Sequence, residues 1–385
     1  MVRATTKEKE KPRIFFFLPG FEKHPTGGYR VVYEYANYLA ESDKYIVSVV
    51  HSRALIGKHL GNHSKFLFLR SLKSTLRSTI ARRPGRPISW FRMDRRVTVK
   101  FTTFLPAIPI GSTDILIATA AQTAPYVSRL AQAHGATGVY FIQSYEDWSM
   151  PKAFVDQTWR LPLYRIAIAP WLAEIAESFG LDASVVANAI RPDEFPAGDR
   201  LVDRRRSVMA LVSTSRNKRT DLVEEVFAAL TSSDPSVRMT TFGTCPRPVG
   251  LPASVVHLRN PSRSELAAAY RNSRVYLCAS DSEGWGLPPA EALMSGTAVV
   301  STDIGGVRSY ASEAALFSPP GKSSPLFANV KRLLNEDDLA QRLTDRGRTS
   351  LLSYGPKEAA RRFVLELQTA ARVKHTTVTQ NLGAK

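Results

Sequence analysis

Cysteine is almost missing from this 385-residue chain: Cys245 and Cys278 are the only two, with no CxxC spacing and no histidine cluster beside them. That excludes a disulfide framework and lends no support to a structural zinc site, so reduced, buried thiols are expected. Long hydrophobic runs are missing as well. No stretch approaches the roughly 20 apolar residues a membrane helix needs, and the polar start MVRATTKEKEKPR lacks the apolar centre of a signal peptide. The expected location is the cytoplasm. No repeat of solenoid period and no low-complexity tract is present, which sets aside repeat arrays. Negative charge is scarce: 34 Asp and Glu stand against 52 Lys and Arg, a net charge of +18. Much of the imbalance is local, since His51 to Lys100 holds 13 Lys or Arg and one acid, Asp94, for a charge of +12. A solvated face is the plain reading of a charge run. Here Phe66, Leu67, Phe68, Leu69, Trp90 and Phe91 lie among the arginines, and the segment suits an anionic partner such as phospholipid, lipid pyrophosphate or nucleic acid.

What is present points to two α/β lobes. Hydrophobic residues at 44% and charged residues at 22% are ordinary for a globular protein, and the length suits two domains with a core each. The run RIFFFLPG predicts a buried strand stopped by Pro19-Gly20. Beyond the loop FEKHPTGG, the residues Val32, Tyr35, Ala36 and Leu39 recur at helical spacing, and YIVSVVHS then reads as a second strand. Strand, glycine loop, helix, strand is a βαβ unit and implies a parallel sheet. DILIAT, APYVSRLAQAHG, GVYFIQ, YRIAIAP and WLAEIAESFG continue the alternation to the polar stretch PAGDRLVDRRR, where a domain boundary is expected. A second series runs from SVMALVST through DLVEEVFAALTSS, VRMTTFGT, SVVHLRN, SRSELAAAYRNS and VYLCAS to AVVSTDIGG. GPKEAARRFVLELQTAARV, with Ala360, Phe363, Val364 and Leu367 on one face, predicts a closing helix.

The stretch SEGWGLPPAEALMSG, residues 282–296, follows the strand VYLCAS. Ligands of open parallel sheets bind beyond the carboxyl ends of strands, so this loop sits where a ligand would. Gly284 and Gly286 let the backbone approach closely, and Pro288-Pro289 suits a helix start whose free amides attract phosphate. Glu283 lies in the loop and Glu291 about one turn into the helix. Carboxylates bond sugar hydroxyls well, so one acid can hold a ribose and the other a second sugar, with a diphosphate between them.

With those residues in place, the sequence resembles the family 4 glycosyltransferases, retaining enzymes of the two-lobed GT-B fold. The pair Glu283 and Glu291 around EGWGLPPAEALMSG is the family's two-glutamate motif, and the resemblance covers most of residues 13 to 370. It implies an α/β fold of two Rossmann-like, doubly wound lobes facing a central cleft, with the terminal helix closing back on the first. It implies donor binding by Gly27, Gly28, Gly284, Trp285, Gly286, Leu287 and Glu291. Lys218 matches the family lysine that contacts donor phosphate. The arginine usually found five residues earlier falls on Ser213; Arg216 can substitute for it, and Arg219 stands where glycine is usual. Glu283, Lys218 and Arg216 are therefore the expected catalytic set. Asn188 and Phe195 match a further family pattern in which Ala189 and Arg191 depart, and that stretch reads as lobe-connecting structure. Gln143 replaces a histidine that many relatives carry near the reacting sugar. YFIQSYEDW and LPGFEKHPTGGYRVVYEYANYLA look like the rhamnosyltransferase branch of bacterial surface-polysaccharide enzymes, whose donor is dTDP-rhamnose. Gln143, Tyr145, Glu146 and Asp147 are acceptor candidates, with helix capping as the alternative for the last three. Gly305-Gly306 is followed by Val307-Arg308 in place of the usual proline and glutamate, and reads as a turn first and a donor-side contact second.

The expected boundaries are 13–190 for an acceptor-side domain with the basic insertion 51–100, 205–355 for a nucleotide-sugar domain, 356–373 for the crossing helix and 374–385 for a mobile tail. The expected activity is transfer of a sugar, with rhamnose a candidate, from a nucleotide-diphosphate donor to a hydroxyl of a glycan or lipid-linked acceptor in cell-surface polysaccharide synthesis. No cofactor and no metal are expected, because no DxD-type signature falls in a suitable loop. Partners are the nucleotide sugar, the acceptor and an anionic inner membrane face met through residues 51–100, with a charged soluble polysaccharide as the alternative for that segment. An epimerase or phosphorylase of the same architecture is the nearer rival; a basic nucleic-acid-binding protein is the farther one, since no recognition motif appears.

Overall fold

In the computed structural model, which describes residues 11–55, 88–103, 105 and 107–383, the alternation becomes two parallel sheets. The first contains β1 (Arg13–Pro19), β2 (Ile46–Ser52), β3 (Thr98–Thr102), β4 (Ile115–Ala118), β5 (Thr137–Ile142), β6 (Tyr164–Ala167) and β7 (Ser184–Val185), in the order β3-β2-β1-β4-β5-β6-β7. The second contains β8 (Ser207–Leu211), β9 (Arg238–Gly243), β10 (Val256–Arg259), β11 (Val275–Cys278), β12 (Ala298–Thr302) and β13 (Ala315–Ser318), in the order β10-β9-β8-β11-β12-β13. Both orders reverse beside their first strand, between β1 and β4 and between β8 and β11. That reversal is the crevice where doubly wound sheets take ligands.

Parallel strands are covered on both faces, so their sequences are apolar almost without interruption. Ile14 to Leu18 are all buried, and Phe16 lies beside Val49 of β2 and Ile117 of β4. In the second sheet Leu277 is flanked by Ala210 and Val300. The helices are α1 (Gly27–Glu41), α2 (Ala124–His134), α3 (Lys152–Trp159), α4 (Pro170–Ser178), α5 (Thr220–Ser233), α6 (Arg263–Asn272), α7 (Leu287–Met294), α8 (Gly305–Ala311), α9 (Ser323–Asn335), α10 (Asp337–Leu351) and α11 (Pro356–Gly383). The stripe Val32, Tyr35, Ala36 and Leu39 is the buried face of α1, as its spacing predicts. Val226 and Leu230 of α5 and Leu326, Val330 and Leu333 of α9 close the core around β8, β11 and β12.

The chain gathers into two compact units. One takes residues up to Ile142, Met150–Ile166 and Phe363 onward; the other takes Gln143–Ser149 and Ala167–Arg362. The last helix enters the first unit at Phe363, whose ring stacks on Tyr35 at 4.2 Å and meets Phe141 edge-on at 5.2 Å. That helix continues past residue 373, where the apolar pattern stops, to Gly383. His51 is buried at the end of β2, where Nδ1–H donates to the Gly20 carbonyl and Nε2 accepts from the Tyr33 hydroxyl.

Three readings are corrected. Gly305-Gly306 opens α8 instead of forming a turn, because Ile304 is extended at its N-cap and Val307, Tyr310 and Ala311 bury one side of the helix. Cys245 is half-buried, while Cys278 is fully buried. The end of the basic segment forms β3, an edge strand whose exposed Thr98 and Lys100 give it no apolar run. Residues 56–87 of that segment lie outside the described residues. No helix among the described residues is long and apolar enough to cross a membrane.

Candidate functional site

Because β8 pairs with β11, the loops that leave them are neighbours although 65 residues apart in sequence. The first loop turns through a short 3-10 helix, Arg216–Lys218, into Arg219, which is left-handed at φ 49° and ψ 52° and starts α5. Glycine would take this conformation at no steric cost. An arginine pays about 1 kcal/mol of strain there, and its guanidinium is tied to Asp221 and Asp281. The second loop carries Glu283, 9% exposed. Lys218 Nζ donates to both of its oxygens, at 2.6 and 2.7 Å, and the Ser280 hydroxyl donates to Oε1 at 2.8 Å. Thr302 in turn holds the Ser280 carbonyl. Asn217 ties the loops together by accepting from the Asp281 amide and donating to the Ser282 carbonyl. Burial, and then the Glu283 carboxylate, push the Cys278 thiol up, so it stays neutral beside this pair.

Two glycines shape the second loop. A Cβ on Gly284 would fall 1.8 Å from the Gln143 carbonyl oxygen, so no other residue fits without moving the backbone. Gly286 takes φ 90° as it leads into α7, a region that favours glycine. Trp171 donates to the Gly284 carbonyl at 2.8 Å. Trp285 is buried against Tyr310 and Tyr354, where it supports the loop from behind. The expected row of free amides at the start of α7 is reduced by its own sequence. Of the first three helical residues, Leu287, Pro288 and Pro289, only Leu287 has an N–H, and the Ala290 amide is spent on the Gly286 carbonyl.

Glu291 is 6% exposed and each of its oxygens has one partner. Arg263 donates to its Oε1 at 2.7 Å and the Tyr270 hydroxyl approaches Oε2 at 3.3 Å. Arg263 also bonds Glu194 through Nε and Nη2 and lies 4.4 Å over the Phe195 ring. The stretch read as connecting structure, Arg191 to Phe195, thus supports the second glutamate of the motif. Burial, and then Glu291, push the Tyr270 hydroxyl well above its ordinary range, so it remains a donor. Arg263, Tyr270 and Glu194 were missed by sequence reasoning. A signal existed: Ser262 and Glu265 form a capping box that fixes the first turn of α6, and Arg263 and Tyr270, seven apart, share its face.

The acceptor candidates follow β5. Gln143 places its carbonyl against Gly284, and Glu146 is buried with its carbonyl accepting from the Ser149 amide. Tyr145 lies in the same loop. Asp147 lines a cavity of about 670 Å³ together with Arg216. Gly27 and Gly28 belong to the first unit, as the first two residues of α1. Among the described residues no three His, Cys, Asp or Glu gather as a metal-binding group.

Residues 203–350 match the family model described as glycosyl transferases group 1. No curated protein matches the chain. Among solved structures, sucrose-phosphate synthase from Thermosynechococcus elongatus is similar at 13% identity and a TM-score of 0.68, covering 97% of this chain and 100% of its own. A Staphylococcus aureus TarM mutant, solved with fondaparinux, α-GlcNAc-glycerol and UDP, is similar at 11% identity and a TM-score of 0.69, covering 92% of this chain and 99% of its own. HepE of Anabaena, solved with UDP-glucose, is similar at 13% identity and a TM-score of 0.66, covering 93% and 99%. Such identities carry the fold alone: the chain has the α/β GT-B architecture of glycosyltransferases, and the paired loops after β8 and β11 lie in the part that matches the glycosyl transferases group 1 model.

Proposed function

We propose that the protein moves a sugar from a nucleotide-diphosphate donor to a hydroxyl of a glycan or lipid-linked acceptor, with retention at the anomeric carbon. The observation that carries this reading is the Lys218–Glu283 ion pair on the loops that leave β8 and β11, with Arg216 two residues before Lys218 in the same short 3-10 helix. Lys218 has three N–H donors and commits two to Glu283, which leaves one for the departing diphosphate. Arg216 is exposed, and no carboxylate among the described residues pairs with it. It supplies the second cation. Glu283 bonds hydroxyls of the donor sugar through its remaining lone pairs, and Glu291, held by Arg263, bonds the ribose. The acceptor oxygen attacks on the face the leaving phosphate departs from: the bond from the anomeric carbon to phosphate oxygen breaks, the bond to acceptor oxygen forms, and the acceptor proton passes to the phosphate. Protein groups position the donor and stabilise charge. No metal or cofactor enters this scheme.

The YFIQSYEDW signature makes dTDP-rhamnose the first donor to try, and cell-surface polysaccharide synthesis the proposed setting. The +12 charge of residues 51–100 supports docking on an anionic membrane, which sedimentation with anionic and neutral vesicles measures directly. The test of the activity is nucleotide binding by thermal shift with dTDP, UDP and GDP and their sugars, followed by product analysis. One nucleotide should stabilise the protein, Arg216→Ala should weaken it by about tenfold or more without loss of stability, and an acceptor should gain one sugar as nucleoside diphosphate is released. Binding by none of the nucleotides, or equal binding by the variant, would defeat the reading. Donor turnover without an acceptor would point to an epimerase.

A further inference from the structure

We propose that the cavity beside Arg216 is the subsite for a sugar ring of the acceptor and that Trp148 is its stacking platform. The inference rests on the glycosyl-transfer reading and assigns the occupant of one part of it. Trp148 follows Asp147 in the loop after β5 and is 52% exposed, although it is large and apolar. Both residues line the cavity with Arg216. An aromatic side chain left open on the wall of a cleft, amid polar groups, is surface available to an apolar partner.

The rest of the lining says which partner. Six neutral hydroxyl or amide side chains, between Ser213 and Ser282, surround the space, together with the carboxylates of Asp147, Asp221 and Asp281 and the guanidinium groups of Arg216 and Arg219. Asp221 and Asp281 are occupied by Arg219. The Asp147 carboxylate has no side-chain partner among the described residues, and neither has the Arg216 guanidinium. The cavity therefore offers one aromatic face, a rim of neutral hydrogen-bonding groups and one open carboxylate, beside the cation already assigned to the diphosphate. A nucleobase would stack on one aromatic face as well, and the nucleoside diphosphate titrations below separate the two; among the described residues Trp148 is the sole aromatic wall. A pyranose has one face of C–H groups and a rim of hydroxyls, which matches this arrangement side for side. Glu283 does not line the cavity, being held by Lys218 and Ser280, so a ring placed on Trp148 is distinct from one bonded by Glu283. That separation assigns Trp148 to the acceptor and Glu283 to the donor.

The experiment uses the full chain and its Trp148→Ala and Trp148→Phe variants, titrated with a panel of methyl glycosides, methyl α-rhamnoside and methyl α-glucoside included, and separately with UDP, GDP and dTDP. Binding is read by intrinsic fluorescence and by thermal shift. At least one glycoside should quench wild-type fluorescence; its affinity should fall about tenfold in Trp148→Ala and only about twofold in Trp148→Phe, with nucleoside diphosphate affinity unchanged in both. Glycoside affinity unchanged in Trp148→Ala, or no glycoside bound by the wild type, overturns the proposal. Equal weakening of nucleoside diphosphates by Trp148→Ala overturns it in favour of a base platform. Glycoside binding that depends on Trp148 in a protein that binds no nucleotide would defeat the glycosyl-transfer reading while leaving this subsite standing.

Discussion

Replacing Lys218 by methionine isolates the central ion pair of the site. The ammonium sits 2.6 and 2.7 Å from the two Glu283 oxygens, and the side chains are 22% and 9% exposed. Two unit charges about 4 Å apart at an effective dielectric of about 20 attract by about 4 kcal/mol. Methionine keeps most of the stem and removes the charge together with its N–H donors, so Glu283 would be left with the Ser280 hydroxyl as its remaining partner. Leaving a buried carboxylate unpaired costs about 3–5 kcal/mol. The low end, about 3 kcal/mol, is expected because Lys218 is partly solvated. If the loss comes from stranding the carboxylate, removing that carboxylate as well should recover most of it. The double variant Lys218→Met, Glu283→Leu should therefore unfold within about 1 kcal/mol of wild type. Urea unfolding of the wild type, both single variants and the double variant gives the coupling directly, while donor binding should be lost in all three. A Lys218→Met protein as stable as wild type, or a double variant as unstable as the single one, would show that the contact carries no such energy and refute the reasoning.

Two further outcomes follow from single positions. Gly284→Ala should abolish donor binding and lower stability by several kcal/mol, because the new Cβ would fall 1.8 Å from the Gln143 carbonyl and force two loops apart; a variant with wild-type melting and wild-type nucleotide affinity would contradict the close approach. His51 is held neutral, its pKa lowered to about 4 chiefly by burial. The unfolded chain, titrating near 6.5, binds a proton that the native state refuses, so stability should fall as pH drops from about 6.5 to about 4, by up to about 3 kcal/mol. Urea unfolding across this window should be flatter in His51→Phe, and equal slopes in the two proteins would rule His51 out as the cause.

The alternation of apolar runs and amphipathic helices was enough to read both doubly wound sheets, and the position of the glutamate loop followed from its place after VYLCAS. What failed did so for identifiable reasons. β3 is an edge strand with Lys100 in its middle, so it shows neither a buried run nor clean alternation. Glycine is a poor helix former, and α8 begins with two of them because tertiary packing outweighs propensity there. Leu326, Val330 and Leu333 of α9 carry a helical period. In the site, the residue types were legible and the pairings were not. Nothing in the sequence says that Lys218 spends its donors on Glu283, or that Arg263 and Tyr270 take both oxygens of Glu291, because each pair is joined only through the strand order. The two prolines after Leu287 were visible from the start, and counting N–H groups would have shown that this helix end is poorly equipped to hold phosphate.

The entry of the last helix into the first unit bears on how the protein is made. Phe16, Tyr35 and Phe141 are synthesised early, yet the ring that covers them, Phe363, arrives only after the whole of the second unit. At about 5–20 residues per second, translation from Ile142 to Phe363 takes roughly ten to forty seconds. Through that interval the nascent first unit presents an uncovered aromatic face. A ribosome stalled before Phe363 would display a chain that chaperones should hold far longer than one released with its final helix complete.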